Sequence, residues 1–260
     1  MPISHAIILG IVQGLTEVLP ISSSAHLVIL PWIFKWHYQG LSFDIALHIG
    51  TTLAFIAYFF KDWLGIIAAA FTKDLKRKNN LLWLIVIGTI PAAIAGLILE
   101  KQIETSFRSP LLIAAMLFIF AIVIYLADRF GSKQKSIERI DFPTALTIGL
   151  TQILALIPGV SRSGITISAG LFKGFSREAS ARFSFLLATP IVVGAGILEL
   201  RKMHSSDLNM AFLMGVLFSA LSGFIAIHFL LRLVKRFSLN IFVFYRILLA
   251  AAILIMFLTR

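Results

Sequence analysis

The sequence predicts an all-α polytopic membrane protein with six transmembrane helices and two re-entrant helical hairpins in an inverted-topology repeat. Three observations carry that expectation. Of 260 residues, 59% are hydrophobic and only 13% charged, with a mean hydropathy of +0.96, whereas roughly a quarter of a soluble domain is charged. The apolar runs come in two lengths, one long enough to cross a bilayer and one not. The second half of the chain also repeats the order of elements in the first.

Composition narrows the partners. A formal charge of +11 could point to nucleic acid, but Lys and Arg cluster between apolar segments. That placement suits the positive-inside rule and anionic membrane lipids, so no nucleic-acid partner is expected. The chain has no cysteine, which excludes a disulfide framework and thiolate metal sites. Its N-terminus lacks a basic region and a small-residue cleavage site, and Glu17 interrupts the first apolar run. It reads as mature protein and not as a signal peptide.

A helix needs about 20 apolar residues to cross a ~30 Å core. Segments 43–60, 81–99, 110–127, 179–200, 209–231 and 239–258 satisfy this. Segments 6–19 and 21–34 are shorter, roughly 21 Å each if helical, and meet at Pro20. Segments 142–157 and 164–172 are likewise short and meet at Pro158-Gly159. Short half-helices that break at Pro or Gly in the bilayer are re-entrant, because only protein or water can satisfy the freed backbone groups.

The repeat shows in Ala6-Ile-Ile-Leu-Gly-Ile-Val-Gln13 against Ala145-Leu-Thr-Ile-Gly-Leu-Thr-Gln152, and in Pro20-Ile-Ser-Ser-Ser24 against Pro158-Gly-Val-Ser-Arg-Ser163. A single membrane domain is expected, with residues 1–130 as the first repeat (hairpin 6–34 plus three spans) and 140–260 as the second (hairpin 142–172 plus three spans). Three spans per half invert the second copy and place a shared site near the midplane. Fifteen Lys and Arg then fall on one side and six on the other, with Arg162 and Arg246 inside the membrane. The basic side is cytoplasmic, so the first hairpin enters from outside and the second from the cytoplasm. The run Lys73-Asp-Leu-Lys-Arg-Lys-Asn-Asn80 reads as a topology determinant.

Residues 13–26, Gln-Gly-Leu-Thr-Glu-Val-Leu-Pro-Ile-Ser-Ser-Ser-Ala-His, place ionisable and hydroxyl groups between apolar runs. Such groups inside a membrane mark functional sites; the alternative is a hydrated surface loop. The second hairpin carries Pro158-Gly-Val-Ser-Arg-Ser-Gly-Ile-Thr166. Arg162 offers a planar cationic fork suited to phosphate oxygens. Ser22, Ser24, Ser161, Ser163 and Thr166 offer hydroxyls for substrate binding. Two half-helix N-termini in the same space favour an anion. Arg162 could equally bridge to Glu17 as a structural pair.

Glu17 lies four residues after Gln13 on the same helix face. Together they could hold a hard divalent cation, Mg²⁺ or Ca²⁺, already partly coordinated by phosphates. A hydroxyl, a histidine and a carboxylate are also the parts for phosphoryl transfer. Ser23 or an activated water could attack, with His26 as proton carrier and Glu17 as base or metal ligand.

Both polar stretches, of the forms (E/Q)xxxE and PGxSRSxxT, resemble the signature motifs of the bacitracin-resistance type of undecaprenyl-diphosphate phosphatase, and the segment plan agrees over essentially the whole chain. The resemblance implies hydrolysis of a C55 polyprenyl diphosphate to its monophosphate and inorganic phosphate, recycling the lipid carrier for cell-wall synthesis. It also implies a multi-pass protein of the bacterial plasma membrane, dependence on a divalent cation, and a site opening outward. The catalytic residues it implies are Glu17, Ser23, His26 and Arg162. Gln13 stands where many relatives have a first glutamate, a permitted variant. The alternatives are a polyprenyl-phosphate transporter or flippase and, more remotely, an intramembrane serine protease. Asp44 and His48 share a helix face beside the first hairpin, Arg246 is expected to be structural, and Gly10/Gly14 predict close helix packing within the monomer. Oligomeric state is not readable.

Overall fold

Apolar stretches without charge satisfy their backbone in hydrocarbon by coiling into helices, and the computed structural model follows that rule. It describes residues 1–37, 40–71, 78–105, 107–200 and 208–259. The first hairpin is α1 (Ile3–Val18) and α2 (Ser23–Phe34), followed by α3 (Leu41–Tyr58), α4 (Phe60–Phe71), α5 (Lys78–Thr105) and α6 (Pro110–Phe130). The second hairpin is α7 (Phe142–Gln152), extended by a 3₁₀ turn over Ile153–Leu156, and α8 (Arg162–Phe172). After it come α9 (Arg177–Leu200), α10 (Met210–Arg236) and α11 (Asn240–Leu258). Part of the basic run near residue 73 and the connector 201–207 lie outside the described residues.

Five stretches are long and apolar enough to span: Leu81–Leu99, Pro110–Phe130, Arg177–Leu198, Met210–Arg236 and Asn240–Leu258. The expected span 43–60 is not one straight helix. It breaks at Phe59, and Ala46–Tyr58 and Phe60–Ala70 bend by 70°. Phe59 stays buried, while the turn carries Asp62 out to Arg182, 2.5 Å away. A charged pair four residues beyond a buried helix end is a physical reason to leave the hydrocarbon there.

The outside of the bundle is apolar, with Ile98, Leu248 and Phe244 among its exposed side chains, as a lipid-facing surface requires. Several helix starts are capped by short polar side chains. Asn209 accepts from the Phe212 amide on α10, and Asp141 accepts from the Thr144 amide on α7. Those Thr144 hydrogen bonds hold the Asp141 carboxyl below its ordinary range.

Packing follows a two-fold pattern: α1 lies against α10 as α7 lies against α5, and α6 meets α11 as α3 meets α9. The two helix pairs approach at glycines. A Cβ on Gly10 would sit 2.6 Å from the Gly215 carbonyl oxygen, and one on Gly149 would sit 2.3 Å from that of Gly88. The Gly10/Gly14 face thus packs within the chain, on α10.

Backbone lines both sides of the Gly149 contact, so no side chain can yield to an added group. Gly149→Val is expected to destabilise the fold by about 1–3 kcal/mol, read as a lower melting temperature in detergent, whereas Gly65→Ala, which meets nothing within 4 Å, should leave it unchanged.

Candidate functional site

The site begins with two helix breaks. α1 stops at Val18 and α2 starts at Ser23. Between them Pro20 has no amide to donate, and Ser22 turns the chain with φ 72° and ψ 94°. The second break uses the same device, with Ser161 at φ 74° and ψ 113° before α8. Non-glycine residues in this region are strained and concentrate at functional sites. Each serine then caps the half-helix it opens. Ser22 Oγ accepts from the Ala25 amide at 3.4 Å, and Ser161 Oγ accepts from the Gly164 amide at 3.1 Å. The hairpins also bond across to each other: the Gly159 amide donates to Ser22 Oγ at 3.0 Å, and Ser163 Oγ donates to the Leu19 carbonyl at 3.2 Å.

Arg246 of α11 completes the junction. It is 0% exposed. Its guanidinium donates to Pro20 O (3.3 Å) in the first break and to Gly159 O (2.7 Å) and Val160 O (3.3 Å) in the second, while also reaching Leu117 O and Met116 O on α6. The expected structural role thus takes a specific form: one planar cation serves the carbonyls that both breaks release.

Against this junction sits Glu17, 7% exposed and surrounded by donors. Ser23 Oγ donates to Oε2 at 2.5 Å, Gln13 Nε2 to Oε2 at 3.2 Å, and Arg162 Nη2 to Oε1 at 2.8 Å. His48 Nε2 lies 3.4 Å from Oε2. Arg162 therefore reaches from the second hairpin to the carboxylate of the first. It is steadied by the Ser184 carbonyl (3.1 Å) and by the Phe55 ring, 5.5 Å from the guanidinium carbon. Glu17, Ser23, Arg162 and Gln13 come together as their sequence pattern implies.

His26 does not join them through any described contact. Its Nδ1 bonds the Ser22 carbonyl at 2.7 Å and its Nε2 the Tyr245 hydroxyl at 2.6 Å. The imidazole at the carboxylate is His48, whose Nδ1 bonds its own helix at Asp44 O (2.7 Å). The Asp44 carboxylate itself meets Arg108 at 3.5 Å. Of the expected substrate hydroxyls, Ser24 is half-buried beside Ser22 Oγ at 3.3 Å. Ser22, Ser161 and Ser163 are engaged in building the breaks. Thr166 bonds Ser184 Oγ at 2.7 Å and the Arg162 carbonyl at 2.8 Å, so it braces α8 on α9. Apart from Ala25 and Gly164, whose amides the serine caps take, the first amides of α2 and α8 have no intrahelical partner and can donate to an anion.

For a hard cation the donor set is Glu17 and Gln13. Gln13 Oε1 is buried without a hydrogen-bond partner, on the amide whose Nε2 faces Glu17. That fits an ion which takes its remaining oxygens from substrate phosphates and water. Among the described residues no cluster of three or more His, Cys, Asp or Glu forms a metal cage.

A family model described as bacitracin resistance protein BacA matches residues 6–252. The chain belongs to this family. It is 49% identical to the undecaprenyl-diphosphatase of Desulforudis audaxviator, over 98% of each chain. It is 46% identical to that of Moorella thermoacetica over the full length of both, and 51% identical to that of Elusimicrobium minutum over 96% of each. The match spans both hairpins and the α11 helix that joins them.

Tyr245 and Ser184 were not marked by the motifs, and nothing in the motifs says that Arg246 bonds the carbonyls of Pro20, Gly159 and Val160. Only the rarity of Arg246 within an apolar span signalled that this part of α11 has a task. Arg246→Ala strands several buried carbonyls at once and is expected to cost about 3–5 kcal/mol. Thermal unfolding in detergent or nanodiscs checks this, with Arg246→Lys predicted to lie between the two because one ammonium cannot span both breaks.

Proposed function

We propose that this chain is an integral membrane phosphatase that hydrolyses undecaprenyl diphosphate to undecaprenyl phosphate and inorganic phosphate, returning the lipid carrier to cell-wall synthesis. The names of its near full-length relatives support the activity. The single observation that carries the chemistry is Ser23 Oγ aimed at Glu17 Oε2 at 2.5 Å while Arg162 holds Oε1. A binding site for lipid phosphate needs an arginine; it does not need a hydroxyl set against a carboxylate.

In this reading Arg162 binds the terminal phosphate, passing its Nη2 hydrogen bond from Glu17 to the incoming oxygens, and the α2 and α8 amides add neutral donors. Ser23 Oγ attacks the terminal phosphorus and Glu17 accepts its proton. The bond to the bridging oxygen breaks and the lipid monophosphate leaves. A water then attacks the phosphoserine, Glu17 returns its proton to the departing Ser23 oxygen, and the water's protons leave on inorganic phosphate, so that hydroxyl and carboxylate are both restored. Transfer of Arg162 to the phosphate removes one counter-charge from Glu17 as the proton arrives. A divalent ion held by Glu17 and Gln13 would neutralise phosphate charge when bound.

The matching serine turns and the paired packing of α1 on α10 and α7 on α5 support two inverted repeats, 1–130 and 140–260. With the basic side cytoplasmic, the site opens to the outer face of a bacterial plasma membrane. The isoprenoid tail lies along the apolar exterior, and the lipid is the partner this site requires.

Purified protein in detergent is expected to release phosphate from a polyprenyl diphosphate. Ser23→Ala, Glu17→Ala and Arg162→Ala should each lose about 10²–10⁴-fold in kcat/KM; wild-type rates in all three would overturn the assignment. Rapid quench with terminally labelled substrate should trap label on Ser23, and label on His26 or on no residue would remove Ser23 as nucleophile. Gln13→Glu adds a carboxylate to the cation site and should lower the Mg²⁺ or Ca²⁺ concentration giving half-maximal rate.

A further inference from the structure

His26 has no described bond to Glu17 or Ser23, yet both its ring nitrogens are engaged. Nδ1 faces the Ser22 carbonyl at 2.7 Å. A carbonyl can only accept, so Nδ1 carries a proton, and in the neutral ring Nε2 is an acceptor. The group at Nε2 is the Tyr245 hydroxyl, 2.6 Å away, with the two ring planes within 10°. Tyr245 must then be the donor of that bond.

The neighbour of Tyr245 on α11 is Arg246, which bonds the carbonyls of both breaks. Two successive side chains of one helix thus reference His26 and the hairpin junction to the same frame. The exposures differ in a telling way: Tyr245 is 41% exposed and His26 only 8%. The phenol is the outer member of the pair and covers the one ring nitrogen able to exchange a proton.

We propose that Tyr245 is a positioning residue for the hydrolysis, holding His26 as the Nδ1–H tautomer with Nε2 presented for proton exchange; this rests on the phosphatase reading above. The switch balances in protons. The phenol passes its O–H proton to Nε2 and takes one from an outer donor, a water or a protonated phosphate oxygen, so that Nε2–H then donates to the phenol oxygen and the phenol O–H points outward. In the reverse step Nε2 gives the proton up and the phenol again donates to it. The phenol reorients without itself becoming charged.

Tyr245→Phe removes only the hydroxyl and keeps the ring. In full-length protein in nanodiscs it is expected to lower kcat about five- to tenfold with KM within about twofold, the value of one lost hydrogen bond expressed in the transition state. In a His26→Asn background the same change should have no further effect, because the phenol acts through the imidazole. Nitrogen NMR of histidine-labelled protein, with the His26 signals assigned by their loss in His26→Asn, should show the pure Nδ1–H tautomer in wild type and a mixture in Tyr245→Phe. An unchanged spectrum with an unchanged rate, or an equal rate loss with and without His26, would overturn the proposal. Wild-type protein inactive on polyprenyl diphosphate would instead overturn the phosphatase reading, and the tautomer spectrum would then decide the Tyr245 assignment alone.

Discussion

The fold rests on one constraint: two apolar hairpins break in the buried interior of the bundle, and the carbonyls they release need donors from the protein itself. Arg246 meets that constraint with a single guanidinium bonded to Pro20, Gly159 and Val160. A buried cation facing only carbonyls carries a large desolvation cost. It persists because the alternative is several orphaned acceptors at the same depth. Arginine suits the task where lysine would not, since its five donors diverge in a plane and address both breaks together.

Once the breaks are held, the rest of the site follows from geometry. Ser22 and Ser161 take backbone conformations that side chains rarely adopt, and each offsets the strain by capping the helix it starts. Those caps aim the N-terminal ends of α2 and α8 into one space. Ser23 and Arg162, the first residue of each half-helix, occupy equivalent places yet differ in chemistry. One brings a hydroxyl, the other a cation, and Glu17 of α1 binds both. The matching serine turns supply the frame, and the difference between the two residues that follow them supplies two unlike side chains.

Much of this was legible in the sequence. Breaks at Pro20 and at Pro158-Gly159, the long spans, and the meeting of Glu17, Ser23 and Arg162 all follow from polar residues placed where hydrocarbon penalises them. Three features did not follow. The bend at Phe59 was hidden because Phe59 and Phe60 continue the apolar run, and only the Asp62–Arg182 pair, across 120 residues, gives it a cause. The partner of His26 was hidden because Tyr245 is amphipathic and ordinary in an apolar helix. His48 was visible beside Asp44, but nothing in the spacing of α3 against α1 says which histidine reaches Glu17. Hydropathy registers depth; it does not register which helix is the neighbour.

The Glu17–Arg162 pair shows how two buried charges are held without being locked to each other. An unpaired arginine or carboxylate at this depth would cost several kcal/mol, so each needs a partner. Pairing them too well would make the arginine unavailable. The structure holds the balance by dividing their contacts. Arg162 is anchored independently by the Ser184 carbonyl and the Phe55 face, and Glu17 by Ser23, Gln13 and His48. Under the proposed mechanism phosphate takes over Nη2 and neither group is left bare: Arg162 keeps the Ser184 carbonyl and the Phe55 face, and Glu17 keeps the Ser23 hydrogen bond. An ion pair that is buried yet backed on both sides by other partners can open at low cost, which is what the proposed passage of Arg162 from Glu17 to phosphate requires.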